Sequence, residues 1–268
     1  MLEKKIQELR EIIGSLESVI IAFSGGVDSS VVSAICRDVL GENAVAITAT
    51  SPTYPPEELE TAKKVATELD IKHLVIETNE FDDPNFNANP VDRCYYCKSE
   101  LCKKLRDMAD ELGIKNIVDG TNADDFNDYR PGIRAAKEHG VLSPLAMAKI
   151  TKSEVRAIAE KLGLSVARKA ANPCLASRIP FGTPITIERL QRIARAEKFI
   201  RERGFEQVRV RDHGDIARIE VGARERPKLF DVALLDTINR ELTSLGYRFV
   251  TLDAAGYRQG SLNPEESK

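Results

Sequence analysis

Ala22-Phe23-Ser24-Gly25-Gly26-Val27-Asp28-Ser29-Ser30 joins two runs of different period. Before it, Val19 to Phe23 is a short, β-branched apolar run of the kind that forms a buried strand. After it, Val31-Val32-Ser33-Ala34-Ile35-Cys36 continues at helical spacing. A strand therefore passes into a helix through a Gly-Gly turn. Paired glycines leave the backbone free to take positive φ and to approach a ligand closely, while Ser24, Ser29 and Ser30 set hydroxyls beside the unpaired N–H groups of the helix start. Such a junction is a nest for an anion.

Neither of the common nucleotide loops fits this stretch. No lysine stands in a GxxxxGK[ST] frame, and the glycine spacing is not GxGxxG. Ser24-Gly25-Gly26-Val27-Asp28-Ser29-Ser30 instead resembles the PP-loop of the ATP pyrophosphatase superfamily. The resemblance implies that the β and γ phosphates of ATP are held there and that ATP is cleaved to AMP and pyrophosphate. Asp28 is the candidate Mg²⁺-side or phosphate-orienting carboxylate, because a hard cation on phosphates prefers oxygen ligands.

Downstream the pattern alternates. Ala44 to Ala49 reads as a strand, Pro56 to Leu69 as a helix, Lys72 to Ile76 as a strand, Lys98 to Leu112 as a helix and Asn116 to Val118 as a strand. Alternation of this kind predicts an α/β fold with a doubly wound parallel sheet, Rossmann-like in plan. Ligands of such sheets sit beyond the carboxyl ends of the strands. Thr48 to Ser51 fall there as adenosine-side candidates, with Thr48 and Ser51 the polar ends of that set, and so does Asp119-Gly120-Thr121-Asn122-Ala123-Asp124-Asp125. In that second segment Gly120 permits close backbone approach, Thr121 and Asn122 are adenine or ribose candidates, and Asp124 and Asp125 are candidate metal ligands. Thr151 with Glu154 three residues on forms a capping box for one more helix, which ends near Gly163. The expected domains are 1–168, carrying the nucleotide site, and 169–268, a smaller C-terminal domain.

A chain of 268 residues, 42% hydrophobic and 30% charged, is ordinary for a globular protein of one large or two modest domains. Its net charge of −3 gives no overall pull toward nucleic acid. No apolar run of membrane-spanning length is present, and the N-terminus opens an amphipathic helix containing acids, so neither a membrane span nor a signal peptide is expected. A cytoplasmic protein is the expectation. Five cysteines, an odd number, argue against a disulfide framework and for thiol chemistry or metal binding.

Cys94-Tyr95-Tyr96-Cys97 places two thiols on an expected loop entering a helix, with Arg93 and Lys98 beside them to favour thiolates. Alone, the pair fits half a zinc site, a redox pair or two cluster ligands. Cys174 stands in Asn172-Pro173-Cys174-Leu175-Ala176-Ser177-Arg178-Ile179-Pro180, a proline-bounded loop that presents the thiol with the basic Arg178 four residues away. Cys36 and Cys102 lie on apolar helical faces and are expected in the core. Cys94, Cys97 and Cys174 remain. Three thiolates suit a four-iron four-sulfur cluster, leaving one iron without a protein ligand. Zinc would call for a fourth Cys or a His, and His73, His139 and His213 are scattered, in a strand, near a helix end and in a turn.

Past Thr186 the pattern is a long Arg-rich helix to Gly204, alternating runs Gln207 to Arg211 and Ala217 to Val221, a helix from Pro227 to Leu245 and a strand Arg248 to Leu252. That order predicts a small mixed α+β domain. Arg209 and Arg211, two apart, share one face of their strand and suit a phosphate or carboxylate.

Ser24 to Ser30, Arg93 to Lys98, Asn172 to Gly182 and Val208 to Gly214 together resemble the ATP-dependent sulfur transferase family of lactate racemase maturation, which builds the nickel-pincer nucleotide cofactor. The resemblance spans nearly the whole chain. It implies adenylation of a carboxylate of pyridinium-3,5-dicarboxylate mononucleotide, with sulfur then displacing AMP to leave a thiocarboxylate. One branch of the family sacrifices the sulfur of the single cysteine in the Pro-Cys-Leu-Ala-Ser-Arg loop. The branch with three cysteines is similar to cluster-dependent sulfur donors, and this chain has all three. Carried over residue by residue, the resemblance makes Cys174, Asp28 and Arg178 catalytic, gives Ser24 to Ser30 with Gly120, Thr121 and Asn122 to ATP and Mg²⁺, and sets Arg209 and Arg211 on substrate or AMP phosphate. It gives Cys94, Cys97 and Cys174 to a [4Fe-4S] cluster and Glu197 and Glu220 to a cation beside the thiol loop. A homo-oligomer with a small-molecule pyridinium nucleotide as substrate, and no nucleic-acid or membrane partner, is expected. The alternatives are a tRNA 2-thiolation enzyme, an amidotransferase-type synthetase and a non-catalytic ATP-binding regulator. The first calls for a large basic surface that the charge balance disfavours; the second has no use for three presented thiols.

Overall fold

The computed structural model describes residues 2–127, 130–170 and 172–258. They fall into two compact units. One takes in the described residues up to Phe86 and from Asp92 to 170; the other joins Asn87–Val91 to the chain from Asn172 onward.

The first unit is built from α1 (Leu2–Gly14), β1 (Val19–Ala22), α2 (Val27–Leu40), β2 (Ala44–Thr50), α3 (Pro56–Glu68), β3 (Lys72–Glu77), α4 (Pro84–Asn87, whose last residue belongs to the second unit), α5 (Arg93–Leu112), β4 (Asn116–Val118), α6 (Pro131–Glu138), α7 (Pro144–Met147) and α8 (Lys152–Lys161). The four strands are parallel and ordered β3-β2-β1-β4. Both faces of the sheet are covered, which is why β1 reads as an unbroken apolar run instead of an alternating one. Val19 and Ile21 join Val31, Ile35, Val155 and Ile158 on one side, while Ile20 joins Cys102, Leu105 and Ala109 on the other. The expected burial of Cys36 and Cys102 is borne out; burial pushes the Cys36 thiol up to about 12, out of reach of thiolate chemistry. Thr151 caps α8 with the reciprocal Glu154 bond that the sequence predicts.

The strand order places a switch point. The chain steps outward from β1 through β2 to β3, then crosses back to lay β4 on the other side of β1. The crevice that such a reversal opens lies beyond the carboxyl ends of β1 and β4. Those ends carry Ser24–Ser30 and Asp119–Asn122.

The second unit contains α9 (Ile187–Arg201), β5 (Val208–His213), β6 (Ile216–Val221), α10 (Val232–Ser244) and β7 (Phe249–Leu252). β5 and β6 form an antiparallel hairpin, and β7 adds in parallel to β6. Val208, Val210, Ala217, Ile219 and Val221 pack on Ala196, Ile200, Ile238 and Leu242. His213 closes β5 instead of standing in the turn. The helix expected from Pro227 is cut short, because Asp231 caps a fresh start by accepting bonds from the Ala233 and Leu234 N–H groups. Asn89, fully buried at φ 55°, donates to the carbonyls of Pro180 and Thr183 and accepts from Gly182 N–H, fastening Asn87–Val91 to this unit. Among the described residues, no helix is long and apolar enough to cross a membrane.

Candidate functional site

Gly25 takes φ 66°, a value that glycine adopts without strain. A Cβ at this position would also lie 2.7 Å from Ala62 Cα on α3. Gly26 then precedes the first turn of α2, where no side chain caps the helix. The loop is shaped from inside. Ser29 and Ser30 donate to the Gly26 carbonyl at 3.1 and 2.8 Å, and Gly26 N–H donates to Ser24 Oγ at 3.3 Å. Both Ser29 and Ser30 are buried. Their hydroxyls, expected beside a ligand, therefore hold the loop in shape and leave backbone N–H groups and the helix dipole to meet the anion.

Gly120 explains how the two strand ends meet. Its missing Cβ would stand 2.7 Å from Ser29 N, so only a glycine lets the β4 loop lie against the start of α2. Asp119, buried just before it, accepts from Thr121 N–H and Oγ1 and from Ser143 Oγ, with Lys98 Nζ at 3.4 Å. Asn122 Nδ2 donates to Asp28 at 3.2 Å while its Oδ1 accepts from Asp124 N–H. Thr121 and Asn122 thus use their side chains to set the loop. Asp124 accepts from Lys152 N–H, and Asp125 accepts from Asn122 N–H and pairs with Arg130 at 2.7 Å. The two acids that suggested metal ligands are turn-formers here.

Asp28 keeps a partly open carboxylate and pairs with Lys152 Nζ from the first turn of α8. Lys152 is a residue that the sequence did not single out, since it reaches Asp28 across 124 positions. Lys169 is another: its Nζ lies 2.6 Å from Glu58 Oε2 and 3.4 Å from the Gly25 carbonyl. Tyr54 donates to the Ser24 carbonyl at 3.0 Å. At the end of β2, Thr48 is buried and donates to the Phe23 carbonyl at 2.8 Å, with His73 Nε2 at the same distance. Burial, followed by the Lys63 charge, keeps the His73 imidazole below its ordinary range. Ser51 and Thr53 both donate to the buried Glu80.

α5 begins at Arg93, five residues before the sequence places it. Cys94 and Cys97 therefore sit in its first turns on one face. Cys94 is exposed and Cys97 partly so. Among the described residues, no three His, Cys, Asp or Glu side chains are grouped to hold a metal ion.

In the second unit, Cys174 is partly exposed and the loop around it is held by a buried guanidinium. Arg178 is 0% exposed. Its Nε and Nη2 form a fork with Glu197 at 2.8 and 2.9 Å; Nη1 donates to the carbonyls of Pro173 and Cys174 and to Ser177 Oγ, and Nη2 also meets Asn172 Oδ1. Every donor of the group faces the protein. Arg178 clamps the thiol loop. Burial alone would lower it, but the Glu197 carboxylate outweighs that and holds it above its ordinary range. Glu197 also accepts from Val210 N–H and Arg201. Burial works to raise its carboxyl, yet the Arg178 charge prevails and keeps it below the usual range.

Arg209 and Arg211 are buried, not on an open strand face. Arg211 bonds Glu220 at 2.7 Å and the Ser177 carbonyl at 3.0 Å; Glu220 also accepts from Arg218. Guanidinium groups thus supply the positive charge beside Glu197 and Glu220, where the resemblance implied a cation. Arg209 is lowered to about 10, by burial first and the Arg178 charge second.

A family model for NAD synthase matches residues 1–121, the stretch from α1 through the loop after β4. The chain is 49% identical over 263 residues to an uncharacterized protein of Synechocystis, covering 98% of each. To the pyridinium-3,5-bisthiocarboxylic acid mononucleotide synthase of Lactiplantibacillus plantarum it is 39% identical over 255 residues, 94% of this chain and 91% of that one. An uncharacterized protein of Methanocaldococcus jannaschii is 32% identical over 205 residues, 76% and 78% of the two chains. With a likeness that runs through both units, the chain belongs to the pyridinium-3,5-bisthiocarboxylic acid mononucleotide synthase family.

Proposed function

We propose that this chain is an ATP-dependent sulfur transferase acting on pyridinium-3,5-dicarboxylate mononucleotide. A substrate carboxylate oxygen attacks the α-phosphorus of ATP, the bond to the bridging oxygen breaks, and pyrophosphate leaves with that electron pair. A nucleophilic sulfur then attacks the acyl carbon, AMP leaves with the C–O electrons, and a thiocarboxylate remains. Activation is needed because oxide is a very poor leaving group and AMP a good one. Supporting this reading above all is the 39% identity to the named synthase, which extends over 94% of the chain and so takes in both Ser24–Ser30 and the Cys174 loop.

The parts have separable tasks. The Ser24–Ser30 nest holds the departing pyrophosphate in place and offsets its charge with fixed N–H dipoles. Asp28, a partly open carboxylate, is of the donor type Mg²⁺ takes, and the ion when bound neutralises phosphate charge. In the second unit Arg178, Arg209 and Arg211 are buried with Glu197, Asp212 and Glu220. Burial first and the Arg178 charge second lower Arg209, and a substrate phosphate or carboxylate beside Arg209 and Arg211 would favour their charged forms.

Cys94, Cys97 and Cys174 are solvent-reached thiols, soft donors of the kind iron takes, and they would hold a [4Fe-4S] cluster. When bound, such a cluster supplies sulfide to the reaction. Arg178 fixes the carbonyls on either side of the Cys174 side chain's own peptide, so the thiol is presented from a rigid loop.

Replacing single thiols tests this division of labour. Cys174→Ala is expected to release pyrophosphate at a rate close to the native one while adding no sulfur to the pyridinium product, as read by mass spectrometry. Cys94→Ala is expected to lose bound iron. Equal loss of pyrophosphate release and sulfur addition in Cys174→Ala would contradict the assigned role, and undiminished sulfur addition without iron would place the chain in the sacrificial branch.

A further inference from the structure

The glycine pair that makes the nest also makes it unstable. A peptide flanked by glycine flips readily, because both signs of φ are open to it, and a flip would aim a carbonyl oxygen at the phosphates. Something must hold each peptide in its orientation.

Two side chains from distant parts of the first unit sit on these carbonyls. Tyr54 Oη donates to Ser24 O at 3.0 Å, and Lys169 Nζ stands 3.4 Å from Gly25 O. In a trans peptide the carbonyl and the next N–H point in opposite directions. Fixing Ser24 O fixes the Gly25 N–H toward the anion side, and fixing Gly25 O fixes the Gly26 N–H on Ser24 Oγ, the bond that shapes the loop from inside. Lys169 is itself held by Glu58 Oε2 at 2.6 Å. Glu58 lies four residues before Ala62 on α3, and so on the same helical face as the residue against which Gly25 packs without space for a Cβ. Burial, with the Glu58 charge second, raises the Tyr54 phenol well above its ordinary range, so it stays a donor at every working pH.

We propose that Tyr54, Lys169 and Glu58 are positioning residues for the activation step, locking the Ser24 and Gly25 peptides so that the nest faces the β and γ phosphates. The lock rests on the reading of Ser24–Ser30 as the ATP loop. It also gives this chain a lysine at its phosphate loop by a route other than the Walker sequence. That lysine acts on the loop's carbonyls, and its charge is matched by Glu58.

Calorimetric binding of Mg-ATP, pyrophosphate and AMP to the full chain tests the lock. Tyr54→Phe and Lys169→Met are each expected to weaken ATP and pyrophosphate about tenfold, the worth of one hydrogen bond near 1.4 kcal/mol. AMP, which lacks the β and γ phosphates, is expected to bind within about twofold of native. Lys169→Arg should restore most of the loss. Should Lys169→Met fail to fold because the buried Glu58 loses the Lys169 charge, Lys169→Met with Glu58→Gln removes both charges and is expected to show the same selective loss. Equal weakening of AMP and ATP, or unchanged ATP affinity in Tyr54→Phe and in the lysine variants, would overturn the lock alone. Absence of Mg-ATP binding by the native chain would overturn the ATP reading and the lock with it.

Discussion

Arg178 shows how one residue decides the state of a whole loop. Sequence placed it four positions from the thiol and suggested chemistry; burial and its full set of partners make it a structural clamp. The alternation Val208-Arg209-Val210-Arg211 reads in sequence as a half-exposed strand, and nothing local announces that residues 172–178 cover the polar face, with Arg211 bonded to Ser177 O. Removing one partner of a buried pair leaves the other charge uncompensated. Arg178→Met is expected to lower unfolding free energy by about 3–5 kcal/mol, measured by urea titration at pH 7. The pH dependence follows from Glu197, whose folded carboxyl lies below its ordinary value. Its contribution is present above the unfolded carboxylate range and is lost as pH falls through the depressed folded value. In Arg178→Met that depression is relieved, so acid unfolding is expected to begin at higher pH than in the native chain. Equal acid midpoints in the two proteins would contradict the clamp.

At the level of elements, the strands and helices of the first unit were legible because hydrophobic period and caps act locally. Thr151 with Glu154 was read correctly for that reason. The order β3-β2-β1-β4 was not legible in detail, since pairing depends on contacts far apart in the chain. Nor were Tyr54, Lys152 and Lys169, whose partners lie 30, 124 and 144 positions away. The start of α5 was set five residues too late because the Cys-Tyr-Tyr-Cys run carries no helical apolar stripe, although Cys94 and Cys97 sit on its first turns. Gly120, by contrast, was a readable signal, and the structure supplies the reason in its contact with Ser29 N. Gly120→Ala is expected to push the β4 loop off α2, costing about 1–3 kcal/mol of stability and weakening Mg-ATP binding by at least about tenfold. Gly113→Ala, at φ 66° with open space around its Cβ position, is expected to cost about 1 kcal/mol and to leave ATP affinity unchanged. Equal ATP affinity in both variants would show that the close approach at Gly120 does not shape the nucleotide loop.

On the scale of the molecule, both units carry residues of the chemistry proposed for it. The first holds the PP-loop at the switch point of a parallel sheet; the second holds Cys174 over a buried cluster of arginines and glutamates. The resemblance noted in the sequence and the 39% identity to the synthase of Lactiplantibacillus plantarum lead to the same family, and the NAD synthase match over residues 1–121 ends within the loop after β4. Fold and activation loop are shared more widely than any one acceptor, so the acceptor is where the account is most exposed. The most direct test is anaerobic pyrophosphate release from Mg-ATP, with pyridinium-3,5-dicarboxylate mononucleotide and unmodified tRNA compared as acceptors and the products weighed by mass spectrometry. Stimulation by the pyridinium nucleotide, with a product heavier by the exchange of oxygen for sulfur, is the predicted result; stimulation by tRNA alone, with the pyridinium nucleotide unchanged, would contradict it.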